Sequence, residues 1–358
     1  MIAYLVKRLI WCVVLILLMS FATFVIFFVL PSDRVQVSRG QETTKAALQD
    51  ATGIGDAPVP VQWAQYVWNA VRHGSLGKSA RTAVPITESL KATVPVTASL
   101  ILGGTLLFLL IAVPIGVLSA LRPRSLLDRF AMIFVFIGVA AHPAWIGLIL
   151  SYVLGYRWHV VPISQYCDFF HPSTDCGGAV QWAYHLLLPW FTFALLFAAL
   201  YARMIRASVL ESLQDDYVRT ARAKGGSGWH VLRTHVLRNA ALPVVMMLGM
   251  DMGIAFGGSL FVETVFGLPG VGKMLVEALG RRDLPIMLGV VMVVTTAIAV
   301  LTLIADVCYV ALDPRVRLTS ATGDFGDEPT RPKLARERRP AARLLGSEPQ
   351  SQRSTAST

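Results

Sequence analysis

Six stretches of this chain, residues 9–30, 94–121, 130–156, 186–205, 242–262 and 286–312, are long apolar runs with few charges. About 20 apolar residues in a helix are enough to cross the hydrocarbon layer of a membrane. Lipid offers no partner for a free backbone N–H or C=O, so such runs must satisfy their hydrogen bonds internally as helices. The expected fold class is therefore an all-α polytopic membrane protein with six transmembrane helices. The run 186–205 fits least well, since it contains Pro189 and ends among Arg203 and Arg206. Charged residues make up only 15% of the 358, against 54% hydrophobic, where a soluble domain carries about a quarter charged.

The net charge of +10 has a simple cause in such a chain. Short cytoplasmic loops retain Lys and Arg, so no nucleic-acid partner is expected. The same rule orients the chain. With the N-terminus inside, the inner segments carry Lys7 and Arg8, then Arg122, Arg124 and Arg129, then the basic residues between Arg203 and Arg238, then Arg315 and Arg317. The short outer loops carry Arg157, Lys273, Arg281 and Arg282. The topology is N-in and C-in, in the cytoplasmic membrane. Lys7 and Arg8 before an apolar run resemble a signal peptide. The run is too long for one and no small-x-small site follows, so it reads as a retained first helix.

Residues 31–93 form a large extracytoplasmic loop. Within it Trp63, Tyr66, Val67, Ala70 and Val71 share one helical face, which suits either a helix lying at the lipid headgroups or a short helix packed in an outer domain. Residues 319–358, rich in Pro, Arg, Glu, Ser and Thr, cannot bury enough surface to offset their ordering entropy. They are expected to form a disordered cytoplasmic tail.

Two stretches imitate a phosphate-binding loop. GLPGVGKM, from Gly267 to Met274, has the G-x-x-x-x-G-K spacing but places Met274 where Ser or Thr should hold magnesium. It follows a membrane helix rather than a strand and lies outside. GSLGKS, from Gly74 to Ser79, is two residues too short. Neither is read as a nucleotide site, and no ATP hydrolysis by this chain is expected. HExxH and GxSxG are both lacking, and His142, His159, His171 and His185 are too scattered to form a metal-ligand set.

The informative stretch is the inner loop, residues 207–240. Asp215 and Asp216 precede Tyr217, Arg219, Arg222 and Lys224, so acidic residues come early and basic ones late, as a helix dipole favours. Gly225 and Gly226 then stop the helix. A helix can restart over Trp229–Leu237, and Pro243 opens the next span. Small Ala221 and Ala223 before paired Gly suggest close approach to another protein surface; a solvated charged loop would need no such residues.

DDYVRTARAKG (215–225) resembles the cytoplasmic coupling loop of ABC-importer permeases of the oligopeptide and dipeptide class. FVETVFGLPGVGKMLVEAL (261–279) with RRDLPI (281–286) is similar to the segment between that class's last two helices. DVCYVALDPRVRL (306–318) resembles its ending, and GSLGKSARTAVPITESLKATVPVTASL (74–100) has its counterpart before the second helix. The likeness covers nearly all of residues 1–318 and implies a type I ABC importer permease fold there. It further implies a subunit of a binding-protein-dependent peptide importer working by alternating access. The partners would be a homologous second permease, two ATP-binding subunits or domains that hold ATP and Mg, and an extracytoplasmic substrate-binding protein. This chain would bind no cofactor or metal itself. The coupling residues would be Asp215, Asp216, Tyr217, Arg219, Thr220, Ala221, Arg222, Ala223, Lys224 and Gly225. The spacing from Gly225 to Pro243 is longer than in the general permease pattern.

Gly249, Gly253 and Gly257 form a tandem small-xxx-small pattern, expected to pack on a neighbouring helix or on the partner permease. Asp251, in the same run, is costly at depth. It is expected either to face the translocation path, where a peptide's ammonium would pass, or to pair with a neighbouring helix. Asp306, nearer the inner end, is expected to pair structurally. Cys167 and Cys176, in an outer loop exposed to an oxidising compartment, are expected to form a disulfide. The rival readings are the same architecture carrying nickel or another small solute, and a secondary transporter, whose usual array of intramembrane acids is absent here.

Overall fold

The computed structural model describes residues 2–28, 58–140, 142–169 and 176–312. The expected tail 319–358 and the first part of the large outer loop, 31–57, lie outside the described residues. In chain order the helices are α1 (Ile2–Phe28), α2 (Val59–His73), α3 (Ile86–Leu121), α4 (Leu126–Ala140), α5 (Pro143–Leu150), α6 (Ala179–Gln214), α7 (Asp216–Ala223), α8 (Gly228–Val231), α9 (Leu237–Met250), α10 (Met252–Phe266), α11 (Val271–Arg281) and α12 (Leu284–Leu312). Wider π-type turns, Ser151–Arg157 and Leu232–Val236, follow α5 and α8.

In their described residues the six apolar runs are largely helical, but not all are single rods. Four unbroken helices are long and apolar enough to cross a membrane, over Val6–Ile26, Ile86–Leu121, Ala179–Gln214 and Leu284–Tyr309. A fifth crossing requires Gly228–Met250 and Met252–Phe266 together, and these are bent by 60°. The run 130–156 is divided into α4, α5 and the first π-turn. The cause of that division is Pro143, which cannot donate to the preceding turn; His142 instead caps α5, its Nδ1 accepting from the Ala144 N–H at 3.3 Å. Pro243, expected to open a span, lies inside α9, and Pro189 lies inside α6. Prolines are tolerated within membrane helices because neighbouring helices and local backbone adjustments satisfy the freed groups.

At the centre is the α3–α6 pair, the most extensive helix contact among the described residues. Phe108 stacks on Phe197 with ring centroids 5.5 Å apart and meets Tyr201 at 4.7 Å. Gly116 lets the backbones close, since a Cβ there would lie 2.8 Å from the Ala202 carbonyl and from Ile205. Trp190 donates from Nε1 to the Ser99 carbonyl at 2.9 Å. Each helix has 36 residues, about 54 Å at 1.5 Å per residue, so both extend well past a hydrocarbon layer of about 30 Å.

The first and last helices pack together at the edge. Arg8 grips both carboxylate oxygens of Asp306 through Nε and Nη2, the structural pairing expected for that acid. The outward side of α1, including Leu9, Trp11, Leu15 and Leu18, is exposed and suits lipid. On the outer side, α2 rests on α1: Trp63 donates to Ser20 Oγ at 3.0 Å, and Tyr66 is buried against Phe24 and Leu288. Trp68 and Val71 point away from this contact. The face is thus divided between packing and exposure.

In the outer loop before α6, Cys167 and Cys176 are paired in a disulfide with their Cα atoms 5.2 Å apart; Cys12 and Cys308 are free. Alkylation of the unfolded, unreduced protein should therefore modify Cys12 and Cys308 alone, with Cys167 and Cys176 reacting only after reduction. Modification of all four without reductant would contradict the pairing.

Candidate functional site

The basic, inner end of α6 delivers the sequence-predicted coupling residues. Asp215 adopts φ −65° and ψ 147°, an extended step that ends α6 and starts α7 at Asp216. Its side chain makes no capping hydrogen bond, and Asp216 supplies the negative charge of the first turn. The helix ends at Ala223. Gly225 follows at φ +83°, in the left-handed region that glycine enters freely. Ser227 then starts α8, its hydroxyl accepting from the His230 N–H at 3.4 Å.

This helical hairpin is tied to the membrane core by its apolar side. Val218, Val231 and Val236 are almost wholly buried and belong to the same core cluster as Val209 and Tyr201. Ala221 packs on that cluster, and its carbonyl accepts from the Gly226 N–H at 3.2 Å. The opposite side is free: Asp216, Tyr217, Arg219, Thr220, Arg222, Ala223 and Lys224 are exposed. Arg219 approaches Asp216 at 3.7 Å. Both side chains are solvated, so this pair adds little. The two glycines differ within the chain. A Cβ on Gly225 would meet nothing within 4 Å, whereas on Gly226 it would lie 3.0 Å from the Ala221 carbonyl and from Val231. Gly225 suits its backbone angle, and Gly226 permits close packing within the hairpin itself.

A second feature braces the same end. Arg206 of α6 binds Asp128 of α4 through two hydrogen bonds of 2.7 and 2.9 Å. Ser119 of α3 donates to Asp128 and accepts from Arg206 Nε at 3.1 Å. Asp128 lies on the inner flank, ahead of the apolar run opening at Phe130. The hydrogen bond from Arg206, and after it that from Ser119, hold its carboxyl well below the usual carboxylate range. Three helices are thus locked together about three helical turns before α7 begins at Asp216.

On the outer side, the two phosphate-loop imitations prove to be anchored by the chain's own acids. Glu263, fully buried, accepts from Thr97 Oγ1 at 2.6 Å and from the Lys273 N–H at 3.0 Å. Thr97 in turn accepts from the Val271 N–H at 2.8 Å. The carboxylate therefore occupies the N-terminus of α11, the position an anion would take in a nucleotide-binding loop. The Lys273 ammonium donates to the Gly267 carbonyl at 3.1 Å. In the other imitation, Ser79 donates to buried Asp283 at the start of α12. Sequence reading missed both anchors. For Glu263 the available signal was an acid four residues before Gly267, the first glycine of the turn that leads into α11.

Asp251 sits at the bend between α9 and α10, where Tyr201 Oη donates to its Oδ2 at 2.8 Å. The bend also alters the expected glycine face. Gly249 packs closely on Ala305 of α12, with the Thr302 hydroxyl on its carbonyl at 3.2 Å. Gly253 and Gly257 lie beyond the bend, where an added Cβ would meet nothing within 4 Å. They border a small cleft with Thr97 and Leu275. The three glycines do not form one packing face, because the helix axis changes direction between the first and the second.

His185 lies beside the disulfide, its Nδ1 3.2 Å from Cys167 Sγ. Among the described residues, Cys167, Cys176 and His185 are the one His/Cys/acid group close enough to share a metal. With both sulfurs in the disulfide, neither is available as a thiolate, the form that ligates metal.

The family model described as binding-protein-dependent transport system inner membrane component matches residues 112–318, and that for the N-terminal part of such membrane components matches residues 1–101. The chain is 32% identical over 316 residues to the dipeptide transport system permease protein DppB of Escherichia coli K12, covering 82% of this chain and 93% of that protein. It is 34% identical over 320 residues to the oligopeptide transport system permease protein AppB of Bacillus subtilis 168, covering 88% of this chain and 99% of that protein.

Removing the apolar anchor of α7 should loosen it without touching its exposed side. Val218→Ser is expected to speed trypsin cleavage after Arg219, Arg222 or Lys224 by about tenfold, because a lost buried valine lowers the cost of local opening. Cleavage at the rate of the unaltered protein would show that Val218 does not hold the helix.

Proposed function

The chain belongs to the family of inner membrane components of binding-protein-dependent transport systems, and from that premise we propose how it works as a permease subunit of an ATP-driven peptide importer. It conducts rather than catalyses: the subunit forms part of a path through the cytoplasmic membrane, and the energy comes from elsewhere. Peptides are the solutes named for its relatives DppB and AppB. A homologous permease completes the path, an extracytoplasmic binding protein delivers peptide, and two ATP-binding subunits hold ATP and Mg.

The observation that carries the mechanism is the joint between α7 and the core. An eight-residue helix presents Asp216, Tyr217, Arg219, Arg222 and Lys224 outward, while Val218 is sunk among residues that also hold α6. A motor subunit gripping the exposed side cannot move α7 without moving the core. ATP-binding subunits that close on nucleotide and part after hydrolysis thus displace the inner end of α6. The Arg206–Asp128–Ser119 brace passes that displacement to α3 and α4 together. Alternating exposure of the path follows from tilting packed helices, whose close packing resists continuous deformation.

Gly225 is where this role can be tested. A β-branched residue at φ +83° is strained by about 1–3 kcal/mol, and the hairpin relaxes by shifting α7. In the assembled transporter, Gly225→Val is expected to leave ATP hydrolysis largely intact while peptide uptake falls about tenfold, the scale of such strain. Peptide binding by the delivery protein stays unchanged. Normal uptake by this variant would contradict the coupling role.

A further inference from the structure

Asp251 stands near the middle of the apolar run 242–262, at the 60° bend that separates α9 from α10. Broken helices at membrane depth commonly mark the point where a solute or ion is held. A carboxylate in hydrocarbon is costly and is retained where water or a charged partner meets it. Within this chain its hydrogen bond comes from Tyr201, whose hydroxyl reaches Oδ2 at 2.8 Å, and no Lys or Arg pairs with it among the described residues. Tyr201 is held in turn, fully buried, against Phe108. The acid is therefore fixed in place with its charge uncompensated.

Its surroundings are open. Met246, Met250 and Ile254 are exposed at 51%, 78% and 61%. Met246 and Met250 share one side of α9 just before the bend, and Ile254 lies on α10 just beyond it. Gly253 leaves its flank clear as well. Methionine is flexible and polarisable, and surfaces built from it adapt to varied side chains. A fixed negative charge beside an adaptable apolar strip complements a molecule with one constant cationic end and variable side chains.

We propose that Asp251, positioned by Tyr201, is a contact point for the N-terminal ammonium of a passing peptide, with Met246, Met250 and Ile254 receiving its side chains. The inference rests on the peptide-importer reading above and adds to it the residue that meets the substrate's charge. The contact is transient, since one charge–charge contact with no enclosing cage lets the peptide leave.

The test uses the assembled transporter, with its partner permease, ATP-binding subunits and binding protein, in membrane vesicles, with Cys12 and Cys308 replaced by alanine. Met250→Cys, and separately Met246→Cys, are treated with a cationic and an anionic methanethiosulfonate reagent. Both cysteines should react, and the ratio of cationic to anionic rate should fall about tenfold when Asp251→Asn is added, as expected for loss of a nearby charge. Alanyl-alanine with ATP should slow the reactions. Unreactive cysteines, or a ratio indifferent to Asp251→Asn, would overturn the proposal. Uptake of labelled alanyl-alanine should fall about tenfold in Asp251→Asn and much less in Tyr201→Phe, which keeps the charge. Equal losses in the two would make the pair a structural brace and overturn the proposal. Absence of alanyl-alanine uptake by the unaltered transporter would instead overturn the functional reading and the ligand named here, and the reagent ratio would still decide whether the acid lines a water path.

Discussion

The close packing of α3 on α6 is the constraint from which the rest of the structure follows. In lipid there is no hydrophobic drive between helices, and association depends on fitted surfaces and small residues. Gly116 against Ala202 and Ile205, and Phe108 against Phe197 and Tyr201, provide that fit. Because α6 is longer than the membrane is thick, fixing its middle also fixes both ends. One end emerges beside the disulfide of the outer loop. The other turns at Asp215 into α7.

Buried and half-buried acids finish what the apolar packing begins, and each fixes a different joint. Asp128 binds α4 to α3 and α6 on the inner side. Glu263 holds the start of α11 against α3 on the outer side. Asp283 holds the loop at Ser79 to the start of α12. Asp306 ties the last helix to the first. Each accepts at least two hydrogen bonds, Asp283 from the Ser79 hydroxyl and from the Ala80 N–H at 3.3 Å, as buried charge requires. Asp251 differs in having one hydrogen bond from a neutral hydroxyl and an open flank.

Much of this was legible in the residues. Apolar run length marks where the long helices lie, and Gly225 with the charge order from Asp215 to Lys224 marks the short helix α7 and its end, since both signals are local. The breaks were harder. Pro143 carried the evidence for dividing run 130–156, but a proline inside a membrane helix is so often tolerated that its presence does not decide the matter; Pro189 and Pro243 leave their helices continuous. The bend at Asp251 has no proline at all. It lies beside Tyr201, fifty residues away in the chain, and it puts Gly249 on one helix axis and Gly253 and Gly257 on another. The anchors Glu263 and Asp283 were hidden for the same reason. Their partners Thr97 and Ser79 are remote in the chain, and only the fold brings them together.

In this mechanism α7 and the inner half of α6 are one body, moved by a motor and moving the path. Buried Val218 and the extended step at Asp215 make that joint, and no flexible linker intervenes between the helices. The direct measurement is the distance between spin labels at Arg203→Cys and Arg222→Cys, both exposed positions, in the assembled transporter with Cys12 and Cys308 replaced by serine. A distance that stays within about 2 Å between the nucleotide-free and ATP-bound states is the predicted result. A change of about 5 Å or more, the scale of a helix sliding one turn past its neighbour, would contradict it.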